Sequence, residues 1–151
     1  VSNPFQAFGV GLAALGDIMD ANAQSGSLRT QGLMEQQNER MLYRRADQIG
    51  SEGARNEEAL RRDYGRFAGS QAAAISESGL TNDGSALDVV RDSETQANMD
   101  ALNIRYRATS EAQATRYEAQ QAGMRSSLAR QMAKRVRISG YLKAAGRAAG
   151  G

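Results

Sequence analysis

Apolar positions recur along most of the chain at intervals of three, four or seven residues, between faces of Glu, Gln, Arg and Asn. That spacing predicts long amphipathic helices. Over residues 28–78 the stripe passes through Leu42, Ala46, Ile49, Gly53, Leu60, Phe67 and Ala74. From residue 86 to at least 125 it passes through Val90, Ala97, Ala101, Ile104, Ala108, Ala112, Ala119 and Ala122. The second stripe is lined with alanine, which suits close packing against a first helix that carries Gly50, Gly53, Gly65 and Gly69. Each such glycine costs about 1 kcal/mol against alanine in a helix interior. They are expected both where a neighbouring backbone comes close and where the helix bends.

The break between the two patterns falls at residues 79–84. Gly79 suits the left-handed position after a helix, with Leu80 folding back on Ile75. After Gly84, Ser85 caps the next helix and Asp88 stands three residues on, as in a capping box. The predicted fold is all-α: a long antiparallel helical hairpin, oligomeric, with an apolar N-terminal helix and a basic C-terminal helix. A turn centred near Asn82 pairs residues whose numbers add to about 164. Ile75 then meets Val89, Phe67 meets Ala97, Leu60 meets Ile104, and Leu42 meets Ala122.

Two segments are expected to flank the hairpin of residues 28–122. Residues 1–27 open on Asn3-Pro4, a cap followed by a first-turn proline. The run from Phe5 to Met19 is apolar on nearly every face, and Ala21–Ser27 reads as a small polar joint. The run falls short of the ~20 residues that span a bilayer, and it lacks the basic flank of a secretory leader. Phe5, Phe8, Val10, Leu12, Leu15 and Ile18 are its candidate contacts with a membrane or with neighbouring subunits, and length favours subunits. Residues 123–151 form a basic tail in which Met124, Leu128, Met132, Val136 and Leu142 are expected to make a partial apolar face.

The net charge of +2 conceals an asymmetry. No acidic residue follows Glu118, while Arg125, Arg130, Lys134, Arg135, Arg137, Lys143 and Arg147 do. Arg125, Arg130, Lys134, Arg135 and Arg137 are the candidate contacts for lipid headgroups, nucleic-acid phosphate or an acidic protein surface.

The chain has no His and no Cys, so it lacks the most versatile catalytic side chains and the commonest transition-metal ligands. Enzymatic activity, a metal and a cofactor are not expected. Glu35 with Glu39 and Glu57 with Glu58 read as carboxylates of a solvated helix face. Asn82-Asp83-Gly84 lacks the remaining ligands of a calcium loop and reads as turn chemistry. Arg105-Tyr106-Arg107 and Arg116-Tyr117 resemble stacking platforms for single strands, but nearby Asp100, Glu111 and Glu118 favour Arg–carboxylate pairing. Between Tyr43 and Ala86 the large non-tyrosine apolar residues are only Ile49, Leu60, Phe67, Ile75 and Leu80. So thin a core predicts that ordering depends on other copies or other proteins.

The stretch AAISESGLTNDGSALDVVRDSETQANMDALNIRYRA resembles the central region of a phage protein family. The likeness lies in Ala72 to Ser78, Leu80, Gly84-Ser85-Ala86 and Asp88, and in Asn103-Ile104-Arg105-Tyr106-Arg107 within a long Ala/Gln/Arg helix. The Gly/Ala-rich opening followed by Asn22-Ala23-Gln24 is also similar. The family is the smallest internal-core, or ejection, protein of T-seven-like podophages and related tailed phages. The resemblance covers residues 5 to 120 and brings no catalytic residues. It implies a virion protein held inside the capsid near the portal and then delivered to the host cell envelope. There it would assemble as a homo-oligomeric ring, with other ejection or core proteins, into part of a channel for the genome. The implied partners are these proteins, the portal, the host envelope membrane and, non-specifically, phage DNA. Two other classes fit the residues: a coiled-coil structural or secretion-apparatus subunit, and a DNA-compacting protein.

Overall fold

A computed structural model describes the backbone of residues 4–77 and 85–150, and the side chains of residues 12–77, 88–147 and 149. Two helices account for all of it: α1, Pro4–Glu77, with 74 residues, and α2, Ser85–Gly150, with 66. No strand occurs among the described residues. Pro4 opens α1 and Ser85 opens α2. The predicted turn at Gly79, Leu80 and Gly84, the Asn3 cap and the Ser85 side chain lie outside the described residues.

The structure corrects the expected segmentation. The helix runs through residues 21–27 without a break, and the basic tail continues α2 as helix. There is thus no separate N-terminal or C-terminal helix. The joint read from small polar residues fails because Ser25 and Ser27 return their hydroxyls to the Asn22 and Gln24 carbonyls one turn back, at 3.0 and 2.8 Å. These side chains satisfy themselves on the helix they were expected to interrupt.

The two helices pack against each other in two compact units. Unit 1 comprises Val1–Met41 and Glu118–Gly151, and unit 2 comprises Leu42–Tyr117. In both units the packed positions repeat by threes and fours. In unit 2 the covered α1 positions are Leu42, Ala46, Ile49, Gly53, Glu57, Leu60, Tyr64, Ala68, Gln71 and Ile75. From Ala46 onward they advance by three, four and four, an eleven-residue repeat. Across from them, Val90, Ser93, Ala97, Ala101, Ile104, Ala108 and Ala112 do the same. In unit 1 the steps alternate three and four, as in Ala21, Ser25, Leu28, Gly32, Glu35 and Glu39, or Ala119, Ala122, Ser126, Ala129, Ala133, Val136 and Gly140. A seven-residue spacing favours a left-handed pair and an eleven-residue spacing a right-handed one. Each unit therefore carries its own sequence signal for twist.

This change of period explains a second correction. A strict seven-residue count from Gly53 leads to Phe67 and Ala74, but both are exposed, and Ala68 and Ile75 take the covered positions. An α-helix drifts by about 20° per seven residues, enough after two steps to carry Phe67 out of the seam.

Close contacts define the register. A β-carbon on Gly53 would fall on that of Ala108, one on Gly140 would fall on that of Ala21, and one on Gly32 would lie 3.6 Å from that of Ala129. In each pair the residue numbers add to 161. The expected value of 164 is therefore three residues too high, and Val89, the expected partner of Ile75, is 60% exposed. The register centres between positions 80 and 81 instead of on 82. Of the four glycines expected to mark close approach or bending, only Gly53 meets the opposite helix. Nothing lies near Gly50, Gly65 or Gly69, and the helix continues through them.

Candidate functional site

The fully buried positions of each unit are small residues, and half-buried Leu28 in unit 1 and Leu42, Ile49, Leu60, Ile75 and Ile104 in unit 2 share the seam with them. Among the described residues every buried apolar side chain is alanine: Ala46, Ala101 and Ala112 in unit 2, and Ala119, Ala122, Ala129, Ala133 and Ala144 in unit 1. The buried polar residues are Ser25, Thr115 and Ser126. The Ser126 hydroxyl donates to the Gly32 carbonyl on the facing helix at 2.8 Å, and that of Thr115 donates to the Glu111 carbonyl at 2.9 Å. Buried hydroxyls thus have partners, as burial away from water requires. The seam is tight because its side chains are short.

Many of the large apolar side chains face outward. In unit 1, Leu12, Leu15, Met19, Leu33, Met34 and Met41 are exposed on α1. On α2 of the same unit so are Met124, Leu128, Met132, Ile138 and Leu142. Of the predicted N-terminal contact residues, Leu12 and Leu15 lie outward, whereas Ile18 is half-buried on the seam side. The side chains of Phe5, Phe8 and Val10 lie outside the described residues. Val136 is the exception within the predicted apolar face of the tail. It turns toward the seam, while Met124, Leu128, Met132 and Leu142 stay outside. No helix, among the described residues, is long and apolar enough to cross a membrane.

The basic residues of the tail divide into two sets. Arg125 reaches Glu35 at 3.6 Å, Arg130 donates to the Gln36 side-chain oxygen, and Arg147 pairs with Asp17 at 2.6 Å. These clasp α2 to α1 along the flank of the unit 1 seam. Lys134, Arg135 and Arg137 are exposed and have no ion pair among the described residues. The five predicted phosphate contacts are therefore not one site. Two are engaged within the fold and three are available.

The carboxylates expected on a solvated face need the same correction. Glu35 and Glu39 occupy seam positions in unit 1, where Glu39 Oε1 would lie 2.8 Å from a β-carbon on Gly123. Glu57 occupies one in unit 2, its side chain 13% exposed, between Arg61 at 2.9 Å and Arg105 at 4.0 Å. Only Glu58 keeps the open setting predicted for all four, with Arg62 at 3.6 Å. Arg105 and Arg116 pair across to α1, the latter with Asp47 at 3.0 Å. The seam residues not legible from the apolar pattern are thus largely polar, and position alone marks them: Glu39 stands three residues before Leu42, Glu57 three before Leu60, and Glu35 seven after Leu28. The Tyr64 hydroxyl donates to the Val90 carbonyl at 3.3 Å. Desolvation and then the Glu94 carboxylate hold its pKa above the usual value of 10.0.

Among the described residues no group of His, Cys, Asp and Glu is placed to hold a metal ion. The chain matches no protein-family profile, no curated protein and no solved structure. Its surfaces must carry the functional argument.

Proposed function

We propose that this protein is a phage internal virion, or ejection, protein: an assembly subunit that forms a homo-oligomeric ring and contributes to a conduit for the genome across the host cell envelope. One observation carries the assembly part of this reading. The fully buried seam positions are small residues, while Leu12, Leu15, Leu33, Leu102, Leu128, Leu142, Ile138 and the methionines stand outside, where only another surface can cover them. The phage part is supported by the resemblance over residues 5 to 120. In this reading the protein resides in the capsid interior near the portal, and then in the envelope beside other ejection proteins. Its outward apolar residues on unit 1 meet lipid or neighbouring subunits, and Lys134, Arg135 and Arg137 meet phosphate on headgroups or passing DNA.

The test is to mix the full chain with dye-loaded vesicles of anionic lipid and image the particles formed. Ring particles with a lumen, and dye release, are expected. A variant with Leu12, Leu15 and Met19 all changed to Gln should stay helical and lose most of the release, because these side chains do not hold the seam. Filaments or bundles with no release would replace this reading by a coiled-coil structural or secretion-apparatus subunit. Duplex binding that weakens steeply with salt, without release, would replace it by a DNA-compacting protein.

A further inference from the structure

The outward face of α2 bears an apolar stripe of its own in each unit. In unit 2 it comprises Met99, Leu102, Tyr106 and Tyr117, and in unit 1 Met124, Leu128, Ile138 and Leu142. Each of these side chains is more than half exposed. They recur at the three-and-four spacing of a helix face opposite the alanine seam. The two stretches differ in charge. Residues 88–118 hold Asp88, Asp92, Glu94, Asp100, Glu111 and Glu118 against Arg91, Arg105, Arg107 and Arg116, whereas residues 119–151 hold seven basic residues and no acid.

We infer that α2 is a self-recognition surface: the outward stripe of unit 2 in one copy packs antiparallel against the outward stripe of unit 1 in a second copy. This deepens the proposed function and rests on its homo-oligomeric part. Charge selects the direction. A parallel pairing sets the acid-free stretch against itself, while an antiparallel one sets it against the stretch with an acidic excess. Apolar ends and middle of the stripe meet when the residue numbers of facing positions add to 241, while Leu102, Leu128 and Ile138 lie opposite Ser139, Gln113 and Asn103. Met99 then faces Leu142, Tyr117 faces Met124, and Tyr106 of one copy faces Arg135 of the other. The second contact brings sulfur to an aromatic ring. The third gives one of the unpaired guanidinium groups a ring face. Each pairing occurs twice, so the contact is isologous. Mixed charges beside the unit 2 stripe, with Arg107 four residues before Glu111, favour a protein partner of patterned charge over a uniformly anionic surface. The outward α1 residues Leu12, Leu15 and Met19 take no part and remain for growth beyond the pair.

The absence of cysteine makes the test clean. Met99→Cys and Leu142→Cys are prepared separately in the full chain, mixed, and oxidised with copper phenanthroline, while light scattering measures the mass of each before oxidation. The mixture should give a disulfide-linked species of twice the chain mass whose junction peptide joins positions 99 and 142, and neither variant alone should give more than traces. In the antiparallel pair each copy of position 142 faces position 99 of the other copy and not its own equivalent. Strong linking of Leu142→Cys with itself overturns the inference in favour of a parallel contact. Oligomers in which neither link forms overturn it in favour of another surface, with the homo-oligomeric reading intact. A chain that stays monomeric at every concentration overturns both.

Discussion

At Gly53 and Gly65 the same substitution should act in opposite directions. Gly53→Ala puts a methyl group onto Ala108 across the unit 2 seam. The helices must then part, at a cost of about 1–3 kcal/mol for an overpacked contact. Gly65→Ala meets nothing within 4 Å and should stabilise by about 0.5–1 kcal/mol through helix propensity alone. Urea melts of the two variants at equal concentration check this, and a shift of the same sign for both would contradict the assigned seam. Tyr64 offers a second test at this scale. Its neutral phenol is favoured in the fold, so the stability linked to it is present below pH 10 and is lost as pH rises through its raised pKa. In an alkaline titration followed by phenolate absorbance, Tyr64 should ionise above its ordinary value of 10.0. Tyr64→Phe should remove that step. The surface ion pairs are a weaker lever, since exposed pairs such as Arg62 with Glu58 contribute about 0–1 kcal/mol.

The helix pair is held in register by short side chains, and the absence of cysteine lets that register be read directly. Leu28→Cys combined with Ala133→Cys should form a disulfide within one chain, because 28 and 133 add to 161. Leu28→Cys combined with Val136→Cys, one turn further along α2, should not. The reverse result would restore the register of 164 that the turn residues predict. Much at this scale was legible in the sequence. The α2 face through Val90, Ala97, Ala101, Ile104, Ala108, Ala112, Ala119 and Ala122 lies where its spacing puts it, since alanine recurs there at most of the helical intervals. Its extension through Ser126, Ala129, Ala133, Gly140 and Ala144 was hidden by larger neighbours. Met124, Leu128 and Leu142 carry more hydropathy than the small residues actually buried, so hydropathy marks the outer stripe and not the seam. Glu35, Glu39 and Glu57 were hidden for the converse reason: a carboxylate at a covered position looks like surface until an arginine from the facing helix or an open glycine shows how it is accommodated.

Taken as a whole, the molecule separates its charge as well as its residue sizes. Residues 1–41 and 118–151 hold nine basic and five acidic residues, and residues 42–117 hold ten basic and twelve acidic ones. Association that brings unlike stretches of two copies together should therefore weaken as salt rises, most steeply below the ionic strength at which the Debye length falls to about 8–10 Å. Changing Lys134, Arg135 and Arg137 together to Gln should flatten that dependence, with helicity retained at concentrations where the chain is still assembled, because none of the three is held within the fold. Light scattering across a salt series measures it. The central claim is that the outward Leu, Met, Ile and Tyr residues are interface, so that the ordered state belongs to an assembly. Concentration makes the most direct test of it, through helicity by circular dichroism recorded alongside mass by sedimentation as the full chain is diluted. The account predicts that mass and helicity fall together and that the melting temperature rises with chain concentration. A monomer that keeps full helicity and melts cooperatively at one temperature across the whole dilution series would contradict it.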